Sequence, residues 1–212
     1  MIIREDLCEE AMRLTYQLMQ HHVTQLPQVK ALMALMCLQA SRLSARTNPM
    51  GNIVLLEEQD RSQWNRPLIQ KGLQLLEEAS TGNEVSDYHI EAAIASVHAL
   101  ALDFQSTRWD KLIVLYEALH TRTPSPMTAL SRAIAIGYGY SPAEGIAELT
   151  KITSLQNHYF YHSALGNFYR LNREPKPAAN HYARALELAP SEIEKELLQR
   201  QWDACKRESE LF

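Results

Sequence analysis

Cysteine is scarce and scattered, with Cys8, Cys37 and Cys205 the three in 212 residues. An odd number, far apart and with no Cys-x-x-Cys, excludes a disulfide framework and a four-cysteine zinc site, and points to a reducing, cytoplasmic setting. Glycine is also sparse, at seven residues, and no Gly-x-Ser-x-Gly elbow or phosphate loop is present. Gly137-x-Gly139 lacks the third glycine and the preceding strand of a dinucleotide fingerprint. Basic charge is not in excess: the formal net charge is -4, which argues against a surface built for phosphate backbones. No apolar run approaches the roughly 20 residues of a membrane span. The N-terminal Met-Ile-Ile-Arg-Glu-Asp places acid where an export signal needs an apolar core.

What is present is helical period. Apolar residues make up 46% of the chain and charged ones 22%, the composition of a folded globule. From Arg4 to His22, Leu7, Ala11, Leu14 and Leu18 form one amphipathic stripe, expected to face the core. Pro27 opens a second helix, running through Leu43, that is apolar almost all round and therefore expected at the centre of the N-terminal half. Met33–Met36 within it fits core better than a partner groove. A turn cluster, Thr47-Asn48-Pro49-Met50-Gly51-Asn52, and the apolar run Ile53–Leu56 then form an ordered loop over 47–62. A third helix is expected from about Gln63 to Ala79.

After Ser80-Thr81-Gly82-Asn83 the chain reads as helix pairs. The expected segments are 86–104, 109–120, 124–140, 141–153, 159–171 and 176–189, with a terminal helix from Pro190-Ser191 almost to Phe212. The pair at 159–189 fits the 34-residue tetratricopeptide pattern at seven of the eight positions tested: Leu165, Gly166, Tyr169, Ala178, Tyr182, Ala185 and Pro190, with His162 in place of the tryptophan. Small residues allow two antiparallel helices to approach, aromatics fill the gap beside them, and proline ends the second helix. Ala133 and Gly145 repeat the small-to-small spacing of 12 residues, and Trp109–Leu119 with Tyr116 and Pro124 suggests a third, degenerate repeat. The terminal helix, with Ile193, Leu197, Leu198 and Trp202 inward, would cap the stack. The predicted fold is all-α: stacked antiparallel helix pairs in a tetratricopeptide-like right-handed solenoid over 83–212, preceded by an N-terminal helical module over 1–82.

Few residues suggest chemistry. His158 and His162 stand at i, i+4, but have no third ligand nearby and no acid between them, so a packed or solvated pair is expected and no metal or other cofactor is implied. His21-His22 suit a helix carboxyl end. The one dense polar group is Glu57, Glu58, Asp60, Arg61 and Asn65 beside Trp64, with Arg42 and Arg46 one helix earlier. Paired carboxylates next to a tryptophan could supply an acid and a base, which would make this loop an enzyme site. The structural alternative is an Arg–carboxylate network pinning the loop to the second helix.

Longer stretches resemble a family. Arg4-Glu5-Asp6-Leu7-Cys8-Glu9-Glu10-Ala11-Met12-Arg13-Leu14, Leu35-Met36 through Ser41-Arg42, Ala45-Arg46 and, most specifically, Ile53-Val54-Leu55-Leu56-Glu57-Glu58-Gln59-Asp60-Arg61-Ser62-Gln63-Trp64-Asn65 are similar to the tail of extracytoplasmic-function (ECF) sigma factors with a long tetratricopeptide extension. Ala92–Ala95 with His98, Leu115-Tyr116 and Pro124-Ser125-Pro126 fit the same tail, so the resemblance spans nearly the whole chain. It implies a C-terminal extension separated from the promoter-melting and promoter-reading regions, which would precede Arg4. The implied role is regulatory, not enzymatic and without direct nucleic-acid or membrane binding, with its own sigma regions, RNA polymerase or a regulatory protein as partner. The first half departs from the tetratricopeptide pattern, and no residue carries a chemical role over from the family. A purely structural spacer is the third class. A binding groove should instead expose aromatics in one patch, with Tyr138, Tyr140, Tyr159 and Tyr161 the residues to inspect.

Overall fold

The computed structural model describes residues 4–81 and 84–210. Among them the fold is all-helical, with no strand and one isolated antiparallel bridge between Thr47 and Ile53. No helix there is long and apolar enough to cross a membrane. The chain divides into two compact units, Met1–Thr123 and Pro124–Phe212.

The first unit holds α1 (Glu5–Gln20), α2 (Pro27–Ala40), α3 (Arg66–Ala79), α4 (Asp87–Leu100) and α5 (Trp109–Arg122). Its centre is α2, as its all-round apolar sequence predicts. Ala31, Ala34, Cys37 and Leu38 are fully buried, and α2 packs against α1, α3 and α4. Gly72 of α3 makes the close approach possible, because a Cβ there would lie 2.7 Å from Leu38 Cγ. Helix starts follow local chemistry: Asn65 Oδ1 accepts from Leu68 N at 3.1 Å, with a proline in the first turn of α3. At α4, Ser86 N donates to His89 Nδ1 while His89 Nε2 bonds the carbonyl of Ala79.

Two expectations change here. The helix pair beginning at Ser86 packs with the first unit: α4 lies against α2 and α3 as well as α5, so the structural division falls at 123/124 rather than at 82/83. The burial of Ala92, Ala95 and Ala99 explains this, since small side chains let α4 reach α2. The second change concerns α1. Its leucine stripe does not face the core: Leu7, Leu14 and Leu18 are 57%, 48% and 44% exposed. Instead α1 meets α2 through Met12, Thr15 and Met19, about 100° around the helix from the leucines.

The second unit holds α6 (Pro126–Gly139), α7 (Pro142–Thr150), α8 (Tyr159–Leu171), α9 (Pro175–Leu188) and α10 (Glu192–Glu210). Each helix packs on the next. Ser125 and Ser141 cap α6 and α7, each followed by proline, which stops the preceding segment and starts the next in one step. The expected pattern residues meet between α8 and α9: a Cβ on Gly166 would lie 3.0 Å from the ring of Tyr182, which is fully buried with Ala178 and Ala185. Tyr169 packs half-buried beside them, and Leu165 lies in the core formed with Leu130, Leu149 and Phe168. Pro190 is exposed just after α9. The turn from α8 closes with Glu174 N bonded to Tyr169 O and Arg173, at φ 62°, bonded to Arg170 O. On α10, Leu198, Trp202 and Cys205 lie against α9.

The repeat spacing of Ala133 and Gly145 has a different structural use from the one expected. Gly145 faces Gly137, one turn on from Ala133, and a Cβ on Gly145 would stand 2.6 Å from the Gly137 Cα. Gly137 in turn lies under Phe168. Gly145→Ala should therefore destabilise the chain by about 2 kcal/mol, because a backbone atom and not a pliable side chain must move. Thermal unfolding followed by circular dichroism measures it. An unchanged midpoint would mean that α6 and α7 are not in contact there.

Candidate functional site

The polar group singled out in the sequence does assemble, but not as an Arg–carboxylate network. Two 3-10 turns bring it together: Leu43–Ala45, flanked by Arg42 and Arg46, and Arg61–Gln63, followed by Trp64. Hydrogen bonds join the two segments, with Asn65 N donating to Ser41 O at 2.7 Å and the Ser44 hydroxyl to Gln63 O at 3.1 Å. The intervening loop returns through Val54 N to Arg46 O and Gln59 Nε2 to Val54 O. Hydrogen bonds tie it at several points along its length.

Trp64 is the hub, only 3% exposed, with Leu38, Ala45, Ile69, Ala95 and Ala99 packed in the same cluster. Two guanidiniums lie over its indole, Arg61 at 5.0 Å and Arg42 at 5.9 Å from the ring centroid. Arg61 is 6% exposed and none of its partners is a carboxylate. Its Nη1 donates to the carbonyls of His98 and Ala101, and its Nη2 approaches Thr107 Oγ1 at 3.4 Å. The carbonyl end of α4 is thus closed by a cation, where the helix leaves acceptors unsatisfied and the dipole favours positive charge.

The carboxylates do other work. Asp60 is exposed and caps its own turn, accepting from Ser62 N at 2.9 Å and Gln63 Nε2 at 3.2 Å. These bonds hold its carboxyl below the usual range. Glu58 accepts from Leu55 N, and Glu57 lies exposed on the same loop. Among the described residues, no ion pair joins Arg42, Arg46 or Arg61 to an acid, and the Arg46 side chain bonds Gln39 Oε1 at 3.1 Å instead. Burial, then the charges of Arg46 and Arg61, bring the Arg42 guanidinium down to about 10. Burial lowers Arg46 and Arg61 as well, the latter against the pull of Asp103. The polar atoms Arg42 Nε, Arg46 Nε, Trp64 Nε1 and His98 Nδ1 are buried without a hydrogen-bond partner.

Asp60→Asn should change stability by less than about 0.5 kcal/mol, since Asn caps as well as Asp. Chemical denaturation of the variant checks this, and a large loss would place Asp60 inside the buried network.

No local sequence signal ties His98 or Thr107 to Arg61. Each sits near one end of α4 or its following loop, more than 30 residues from Arg61, and only folding brings them together. His98 packs edge-on to Trp109 at 5.8 Å.

The histidines of the second unit have other partners. His158 caps α8 by accepting from Phe160 N, and His162 pairs through Nδ1 with His181 Nδ1 at 3.0 Å. Among the described residues no three His, Cys, Asp or Glu side chains gather as a metal would require. Nor do the four tyrosines form one exposed patch. Tyr161 is buried, Tyr138 receives a hydrogen bond from Asn167, Tyr159 is half-buried against Phe160, and Tyr140 is exposed.

Residues 1–80 match a family of unknown function (DUF6596). The chain is 34% identical over 202 residues to Uncharacterized protein R00370 of Rhizobium meliloti (strain 1021). That similarity covers 95% of this chain and 48% of the relative, so the chain spans about half the relative's length. No solved structure matches.

Proposed function

We propose that this chain is the regulatory, protein-binding extension of an ECF-type sigma factor, without catalytic activity, acting in the cytoplasm on transcription initiation. Its partner would be the sigma regions, RNA polymerase or a regulatory protein. The observation that carries the reading is α1, whose leucines Leu7, Leu14 and Leu18 line one side of the helix and remain exposed while an adjacent side packs on α2. An amphipathic helix with its apolar stripe turned to solvent is the ordinary form of a protein-docking element. The tetratricopeptide-like contacts of Gly166, Tyr182 and their neighbours support it, because stacked helix pairs are a binding scaffold. The match to half of a longer protein is consistent with a role beside other regions.

The test is capture of purified sigma regions and polymerase core on immobilised chain. Retention of either is expected, and Leu14→Glu with Leu18→Glu should abolish it while leaving the helical circular dichroism signal unchanged. If neither is retained above background, or if the double variant retains them equally well, the reading fails.

A further inference from the structure

The arginine cluster carries more positive charge than its internal hydrogen bonds employ. Arg61 is accounted for by the carbonyls that end α4. Arg42 and Arg46 are less fully used: they flank one 3-10 turn, Arg46 Nη2 donates to Gln39 Oε1, the Nε of each is buried without a partner, and no acid among the described residues pairs with either. Trp64 Nε1 and His98 Nδ1, in the same cluster, are also buried and unpartnered. Like charges gathered in a partly dry place repel and lose hydration, and a buried donor without an acceptor is costly. Leucine or methionine at these positions would fill the same space without either cost. All three positions hold Arg and none Lys, and a guanidinium fork grips two oxygens of one planar or tetrahedral group.

We propose that Arg42 and Arg46, backed by Arg61 and Trp64, form a receptor for an oxyanion, a carboxylate or phosphate group entering beside the Leu43–Ala45 turn. The two guanidiniums supply charge and paired donors, while the indole and the capped end of α4 hold the turn in place. This site stands independently of the sigma-factor reading, since it rests on the charge and donors of one cluster.

The test uses the full chain, with inorganic phosphate and with succinate as probes and chloride as control, at constant ionic strength. Saturable change in tryptophan fluorescence and a raised Tm are expected with at least one probe and not with chloride. Response to phosphate alone assigns the group to a phosphate, and response to succinate alone to a carboxylate. Either supports the site. Arg42→Gln and Arg46→Gln, each checked for native circular dichroism, should weaken binding about tenfold or more, the worth of one charge-assisted hydrogen bond. Arg42→Lys, which keeps the charge and loses the fork, covers the case in which Arg42→Gln does not fold, and should also weaken binding. No effect of either probe beyond chloride, or equal binding by the folded variants, overturns the proposal.

Discussion

Arg61→Met is expected to destabilise the chain by about 3 kcal/mol and to lower its Tm by on the order of 10 °C. Methionine has nearly the length of arginine and packs well against an indole, so loss of volume contributes little. What remains is the end of α4: the part-buried carbonyls of His98 and Ala101 lose their shared donor. An unsatisfied buried acceptor costs about 1–3 kcal/mol, and here there are two. Relief of repulsion with Arg42 offsets part of this. Thermal unfolding at neutral pH measures the sum, and hydrogen exchange of the last amides of α4 localises it. A variant as stable as the original would mean that the α4 terminus is satisfied in some other way.

Lowering the pH from 7 to about 4 should destabilise the first unit by about 3 kcal/mol through His98. Burial, and then the charges of Arg42 and Arg61, lower its pKa from 6.5 to about 4. Between those values the unfolded chain binds a proton at this position that the folded one refuses, so stability rises with pH across the window. The contribution is complete above pH 6.5 and disappears as the pH falls toward 4. Among the described residues no acid contributes to the shift or reverses its sign: the ring's neighbours are Arg42, Arg61 and the edge-on indole of Trp109. Denaturant midpoints collected from pH 7 to pH 4 should show the slope, and His98→Gln should flatten it. His181 is shifted the same way, by burial and then by His162, and acts in the second unit. A wild-type slope in the His98→Gln variant would assign the acid sensitivity elsewhere.

These two residues also show where the sequence is silent. Arg61 stands in a run of Glu57, Glu58 and Asp60, and local charge invites an ion pair. Yet the loop turns those acids outward, where Asp60 caps its own 3-10 turn, while Arg61 points inward to a helix end 37 residues away. Sequence neighbours compete with water for an arginine, whereas a buried helix terminus has no other donor. Helix α1 makes the same point in apolar terms. Its period is plain, but two faces carry apolar side chains, the leucines and the Met12–Met19 side, and periodicity cannot say which one α2 meets. The pair α4–α5 follows the repeat rhythm and still joins the first unit, because Ala92, Ala95 and Ala99 match the surface of α2.

The sequence by itself determined the helices, their starts at Ser and Pro, the buried course of α2 and the small-against-aromatic contact of Gly166 with Tyr182. Each of these rests on interactions within a few residues or on a side-chain size repeated at fixed spacing. Only the tertiary structure decided which face of α1 is covered, where the chain divides, and that Arg61 turns to the end of α4 beside His98 while Asp60 faces out. Those outcomes depend on contacts between segments tens of residues apart, selected by the relief of buried carbonyls and by the fit of one helix surface to another.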